Sequence, residues 1–119
     1  MAVADSHFLT LENSLLNRSG TTPLAVRFRA LFTLKSIGDE RAISIISAGF
    51  KDESALLKHE LAYVLGQMHN VLALPTLNSV LENKDEDPMV RHEVSNVIFI
   101  RVEDARELKL GCHERPQRH

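Results

Sequence analysis

The sequence predicts an all-α fold, a solenoid of stacked helical hairpins, and three observations carry that prediction. Apolar residues recur at helical spacing along the chain, and no stretch alternates with period two for long enough to make a strand. Helix punctuation separates the apolar stripes, at Thr22-Pro23, Gly38-Asp39, Gly49, Asn70 and Asp87-Pro88. A short apolar–basic–x–x–apolar pattern also returns: Val26-Arg27-Phe28-Arg29-Ala30, Leu57-Lys58-His59-Glu60-Leu61 and Val90-Arg91-His92-Glu93-Val94. Its basic residue falls at 27, 58 and 91, intervals of 31 and 33 residues. A two-helix unit of that period cannot bury its own apolar face, so neighbours stack and share one core.

Each element follows in turn. Phe8, Leu11, Leu15 and Leu16 form one stripe of a first helix, with Asp5 or Ser6 as its cap and Asn17-Arg18-Ser19-Gly20 as its stop. Thr22 caps a second helix with Pro23 in its first position, running through Leu24, Leu31, Leu34 and Ile37 to Gly38. Asp39 caps a third through Ala42, Ile43, Ile45 and Ile46, closed by Gly49. Asp52 or Ser54 opens a fourth through Leu57, Leu61, Val64, Leu65 and Met68. Asn70 caps the segment of Leu72, Leu77, Val80 and Leu81, where Pro75 fits only in the first turn. Asp85-Glu86-Asp87-Pro88 leads into the last helix, with Val90, Val94, Val97 and Ile98.

At 119 residues the chain is one domain's worth of sequence. Its hydrophobic 44% and charged 25% are those of a globular protein, and a net charge of -2 gives no field to hold nucleic acid or an anionic membrane. The apolar run Val97-Ile98-Phe99-Ile100 is far short of the ~20 residues of a membrane span. Met-Ala-Val-Ala-Asp-Ser at the start has neither a basic nor an apolar signal region. Cys112 is the single cysteine, which excludes an internal disulfide and thiolate metal clusters. The expected location is cytoplasmic. The repeating core resembles HEAT repeats, assigned to residues 1–100, with 101–119 a divergent charged tail. A plain helical bundle is the alternative fold.

The repeat makes one substitution informative. Where the first unit has Phe28-Arg29, the next two have His59-Glu60 and His92-Glu93. Equivalent positions of stacked units face the same way, and packed helices lie about 8–10 Å apart, so two imidazoles can converge on one ion. Each glutamate is turned about 100° from its histidine, so one carboxylate can join that ion while the other reaches a second. Imidazole and carboxylate without thiolate suit non-haem iron or manganese; zinc also accepts this donor set. An isolated His-Glu dipeptide is ordinarily a surface pair, and it is the matched phase of two that points to a metal.

Ser54 to Met68 (Ser-Ala-Leu-Leu-Lys-His-Glu-Leu-Ala-Tyr-Val-Leu-Gly-Gln-Met) resembles the first His-Glu repeat of the deoxyhypusine hydroxylases. Glu86-Asp87-Pro88-Met89-Val90-Arg91-His92-Glu93 is similar to the second, and Arg27-Phe28-Arg29-Ala30-Leu31-Phe32-Thr33-Leu34 to the family's opening repeat. The resemblance implies the N-terminal half of a pseudo-symmetric HEAT-repeat monooxygenase. In that family four His-Glu pairs hold two ferrous ions, which activate dioxygen to hydroxylate the deoxyhypusine side chain of the hypusine-carrying translation initiation factor. His59, Glu60, His92 and Glu93 match two of the pairs, so this chain carries half of the ligand set. The implied partners are that protein substrate and, through the exposed end of the repeat, a second copy of the chain. The competing reading is a catalytically inactive HEAT-repeat interaction module or truncated isoform.

Beyond residue 93 the sequence departs from the family pattern, and Arg101 stands where the preceding repeat has Met68. His113-Glu114, beside Cys112, has no helical phase linking it to the repeat and is not taken as a ligand pair; Cys112 is assigned no catalysis. Tyr63, one turn after His59, is expected in the core with its hydroxyl at the rim. Gly66 and Met68 fit either helix packing or a site wall. His69 fits a helix end. Glu82, Asp85, Glu86 and Asp87 are expected to be a solvated acidic loop able to attract a cationic side chain.

Overall fold

The computed structural model describes residues 3–109, with side chains through Phe99. Six helices follow one another: α1 (Asp5–Leu15), α2 (Leu24–Ile37), α3 (Glu40–Ala48), α4 (Ala55–Met68), α5 (Leu74–Glu82) and α6 (Pro88–Lys109). One-turn 3-10 helices, Gly49–Lys51 and Val71–Ala73, precede α4 and α5. No strand occurs among the described residues. The helices pair as α1–α2, α3–α4 and α5–α6, and the second helix of each pair packs on the next, α2 on α4 and α4 on α6. That is the expected all-α solenoid. α6 runs without a break past residue 100, where the divergent tail is expected to begin, to Lys109.

One core runs through all three hairpins, and the predicted stripes supply it. Leu15, Leu31, Leu34, Ile46, Leu57, Leu61, Leu65, Leu77, Val90 and Val94 are almost wholly excluded from solvent. Leu11, Leu16, Ile37, Met68, Leu81 and Ile98 are partly buried against this core, and two stripe members lie exposed, Leu24 in the first turn of α2 and Leu72 in a 3-10 turn rather than in α5.

The caps follow the local chemistry, with small corrections. Asp39, Ser54 and Asn70 accept from backbone amides two or three residues on, as predicted. Ala4, rather than Asp5 or Ser6, precedes α1; the Asp5 carboxylate is drawn to Arg41, whose guanidinium stacks over the Phe8 ring. Pro23 is the cap of α2 rather than its first residue, in extended backbone, and the Thr22 amide donates to Asn17. Gly49 is not a left-handed stop. It is glycine because a Cβ there would lie 2.7 Å from Leu61 Cδ1.

The repeated basic residue is structural in all three units. Arg27 is buried; its Nε donates to the Leu15 carbonyl at 2.9 Å and its Nη2 to Asp52 Oδ1 at 2.6 Å. Lys58 donates to Glu86 Oε2 at 2.6 Å, and Arg91 donates through Nε and Nη2 to the Leu81 carbonyl. Arg27 and Arg91 thus each hold the end of the preceding helix, while Arg27 and Lys58 each hold the acid just ahead of the next unit's second helix. Burial raises the Asp52 pKa, but hydrogen bonds from Arg27 and the Ser54 amide, with the charges of Arg27 and Lys58, outweigh it and hold the carboxyl below its usual range. A depressed carboxyl stabilises the fold above the unfolded-state value and loses that contribution as pH falls through the folded one. The stability difference between the wild type and Asp52→Asn is therefore expected to narrow as pH drops below about 4, measured by urea unfolding across pH. A difference that widens in acid would contradict this pairing.

Candidate metal centre

α4 and α6 carry the two His-Glu doublets at the same distance from equivalent caps. Ser54 Oγ accepts from the Leu57 amide and Asp87 Oδ1 from the Met89 and Val90 amides, so His59 and His92 each stand five residues past the capping side chain. Glu86 takes the Lys58 ammonium and also accepts from the Asp87 amide at 2.9 Å, which ties the start of α6 to the body of α4. Two members of the expected acidic loop are thus structural, Glu86 as a buried ion-pair partner and Asp87 as a cap; Glu82 and Asp85 remain exposed.

Further along, the two helices meet at Gly66. A Cβ there would lie 2.8 Å from Val97 Cγ2 and 3.1 Å from Cγ1, so packing explains this glycine. Gly66→Ala would gain ~1 kcal/mol of helix propensity but force a stiff β-branched neighbour aside, an overpacking cost of ~1–3 kcal/mol. We expect a net loss of up to ~2 kcal/mol, and a double-mutant cycle with Val97→Ala to return favourable coupling. Zero coupling would place the close approach elsewhere.

Between those fixed points the doublets meet. His59 Nε2 lies 3.1 Å from Glu93 Oε1, with the two side chains 37% and 19% exposed. The pair therefore sits at the surface, open to a ligand yet held by both helices. Glu60 is half-buried and His92 exposed. Among the described residues no three His, Cys, Asp or Glu side chains gather closely enough to form a metal-binding group, so Glu60 and His92 do not close on the His59–Glu93 contact. Cys112, His113 and Glu114 lie outside the described residues, and Arg101 is described in its backbone alone.

Two neighbouring residues differ from expectation. Tyr63 is not core: it is 46% exposed, on the turn after His59, because the stripe that α4 buries runs through Leu57, Leu61, Val64 and Leu65 instead. His69 closes α4 in the left-handed conformation, its amide donating to the Gly66 carbonyl.

The sequence and the fold are similar to those of known proteins. A family profile described as "PBS lyase HEAT-like repeat" matches residues 26–52. The deoxyhypusine hydroxylase of Lentinula edodes is 60% identical over 90 residues, which is 76% of this chain. This chain is a relative of the deoxyhypusine hydroxylases. The deoxyhypusine hydroxylase of Rattus norvegicus is 59% identical over 78 residues, 66% of this chain. The solved structure of human deoxyhypusine hydroxylase in complex with glycerol superposes with a TM-score of 0.76 at 43% identity, over 88% of this chain. The chain spans about a quarter of the length of these curated relatives, 27% and 26%, and 35% of the human structure's chain.

Sequence reasoning passed over one polar feature of this face, a chain of side-chain hydrogen bonds linking Lys35, Gln67 and Tyr63. The spacing of Tyr63 and Gln67, one helical turn apart, was the signal that could have found it.

Proposed function

We propose that this chain forms part of an iron-dependent deoxyhypusine monooxygenase and that His59, Glu60, His92 and Glu93 are its metal ligands. One observation supports it above the rest: imidazole and carboxylate from two different repeats stand 3.1 Å apart. Donors each about 2.1 Å from an ion, in neighbouring octahedral positions, lie about 3 Å from one another, so this spacing suits two adjacent ligands of one metal. The donor set is imidazole and carboxylate without sulfur, which is the chemistry of non-haem iron.

In this reading His59 and His92 anchor the metal, Glu93 completes its coordination, and Glu60 extends toward a second ion. Iron held there supplies dioxygen activation. The protein's own part is to hold these donors on two helices fixed by the Lys58–Glu86 and Gly66–Val97 contacts, and to offer carboxylates to a cationic side chain. The substrate is the deoxyhypusine residue of the hypusine-carrying translation initiation factor, in the cytoplasm. Pairing with a second copy of the chain is supported by Met89 and Phe99, each 65% exposed on α6.

The test is iron content and hydroxylation of a deoxyhypusine-bearing protein by the purified chain, before and after chelation, with mass measured by sedimentation. Stoichiometric iron, chelator-sensitive hydroxylation and a dimer are expected. A monomer free of iron after anaerobic loading would overturn the assignment.

A further inference from the structure

The row of second helices carries a polar relay that metal binding leaves unused. Lys35 Nζ of α2 donates to Gln67 Oε1 of α4 at 2.5 Å, and Gln67 Nε2 donates to Tyr63 Oη at 3.1 Å. Chemistry fixes the direction. An ammonium can only donate, so the amide oxygen of Gln67 must face Lys35 and its NH2 must face Tyr63. Tyr63 Oη is thereby the acceptor, and its own hydrogen remains to be given. Among the described residues no acceptor takes it.

Position gives that hydrogen a use. Tyr63 is half-exposed and follows His59 by four residues, so the two side chains are neighbours on one helix face. Side chains on a helix lean toward its N-terminus, which carries the ring toward the His59 turn. The face is also graded in charge. Carboxylates Glu60 and Glu93 occupy the His59 end, and the Lys35 ammonium occupies the other. A cationic alkylamine arm lies favourably toward the carboxylates and unfavourably toward Lys35. That arm bears only amines, which are protonated at neutral pH and offer no lone pair to a hydroxyl. The acceptor for Tyr63 must therefore come from the polypeptide that carries the arm.

We infer that Tyr63 is a substrate-binding residue whose hydroxyl donates to a backbone carbonyl of the substrate polypeptide, oriented for that task by Gln67 and Lys35. The inference rests on the proposed function and adds to it how the protein part of the substrate is held.

Two measurements test it. The first is binding of a deoxyhypusine-containing peptide and, separately, of 1,4-diaminobutane, which has no carbonyl. Tyr63→Phe is expected to weaken the peptide roughly threefold to tenfold, as one lost hydrogen bond does, and to leave the diamine unchanged. Gln67→Glu should reproduce the loss with the tyrosine intact, because a carboxylate accepts from Lys35 and from the Tyr63 hydroxyl together. Gln67→Met, which removes the orienting amide but supplies no competing acceptor, should bind the peptide more weakly than the wild type and more tightly than Gln67→Glu. In turnover, the Tyr63→Phe effect should fall on KM more than on kcat.

The second measurement needs no ligand. The chain has one tyrosine and no tryptophan, so its intrinsic fluorescence reports Tyr63 alone. A phenol donating to a carboxylate is quenched, so Gln67→Glu should be dimmer than the wild type and Gln67→Met should not. Equal emission from all three overturns the hydrogen-bond direction. Peptide binding by the wild type that Tyr63→Phe leaves intact, or a diamine affinity that falls equally, overturns the inference alone. A wild type that binds neither probe overturns the proposed function and this inference with it.

Discussion

His59→Ala is expected to lower ferrous iron affinity by more than the about 10–100-fold that outer-shell substitutions cost at metal sites, and His92→Ala to act in the same direction. The reasoning begins with position. His59 contributes an imidazole nitrogen 3.1 Å from Glu93, and His92 occupies the equivalent place one repeat later. Both side chains reach the surface, so neither truncation opens a cavity, and helical content should stay that of the wild type. Glu93→Gln, which keeps shape and removes charge, should weaken iron more than Glu60→Gln, because Glu60 does not share the contact. His7→Ala, at an exposed site on α1, should leave iron binding unchanged. Anaerobic titration with ferrous iron, with circular dichroism on each variant, measures all five. Equal iron affinity in wild type, His59→Ala and His92→Ala would leave a scaffold with a surface His–Glu contact and no metal chemistry.

The second large effect is on stability. Glu86→Ala is expected to cost about 3–5 kcal/mol, because it strands an ammonium that is itself largely out of water. The Lys58 and Glu86 side chains are 11% and 8% exposed and 2.6 Å apart. Glu86 also accepts from the Asp87 amide, so its loss slackens the first turn of α6 as well. Domains of this size have stabilities of about 5–15 kcal/mol, so the variant stands to lose a fifth or more of the total. Lys58→Met combined with Glu86→Leu removes both charges and should be far milder, since an apolar pair of similar volume often replaces a buried ion pair without loss. Urea unfolding of the single and double variants decides the matter. A single-variant cost below about 1 kcal/mol would mean that water reaches the ammonium.

The helices were legible because the apolar period and the capping residues reported the same elements; Asp39, Ser54 and Asn70 cap where their side chains predict. The repeat was legible from the recurring basic residue, yet its role was not. Only packing reveals that Lys58 looks across to Glu86, since the two are 28 residues apart and no local spacing joins them. The same limit applies to Tyr63. An aromatic residue between apolar neighbours reads as core, and its exposure follows from which stripe of α4 the neighbouring helices bury. For the candidate site, matched phase brought the two doublets to facing helices. It could not specify that His59 meets Glu93, because that depends on the stagger between α4 and α6. Gly66 helps set that stagger, and a glycine announces a close approach without naming its partner.

The register of the repeat also bears on shape. Phe99 occupies in α6 the place that Gly66 holds in α4, and its ring is mostly open to solvent. A helix laid along that flank would rest on a phenyl group where α6 itself rests against a bare hydrogen. The spacing between helix axes follows the bulk of the side chains at the crossing. A further layer added there would sit more widely on this row than on the opposite one, so the spiral would change its bend at α6 rather than repeat the curve of the first three turns.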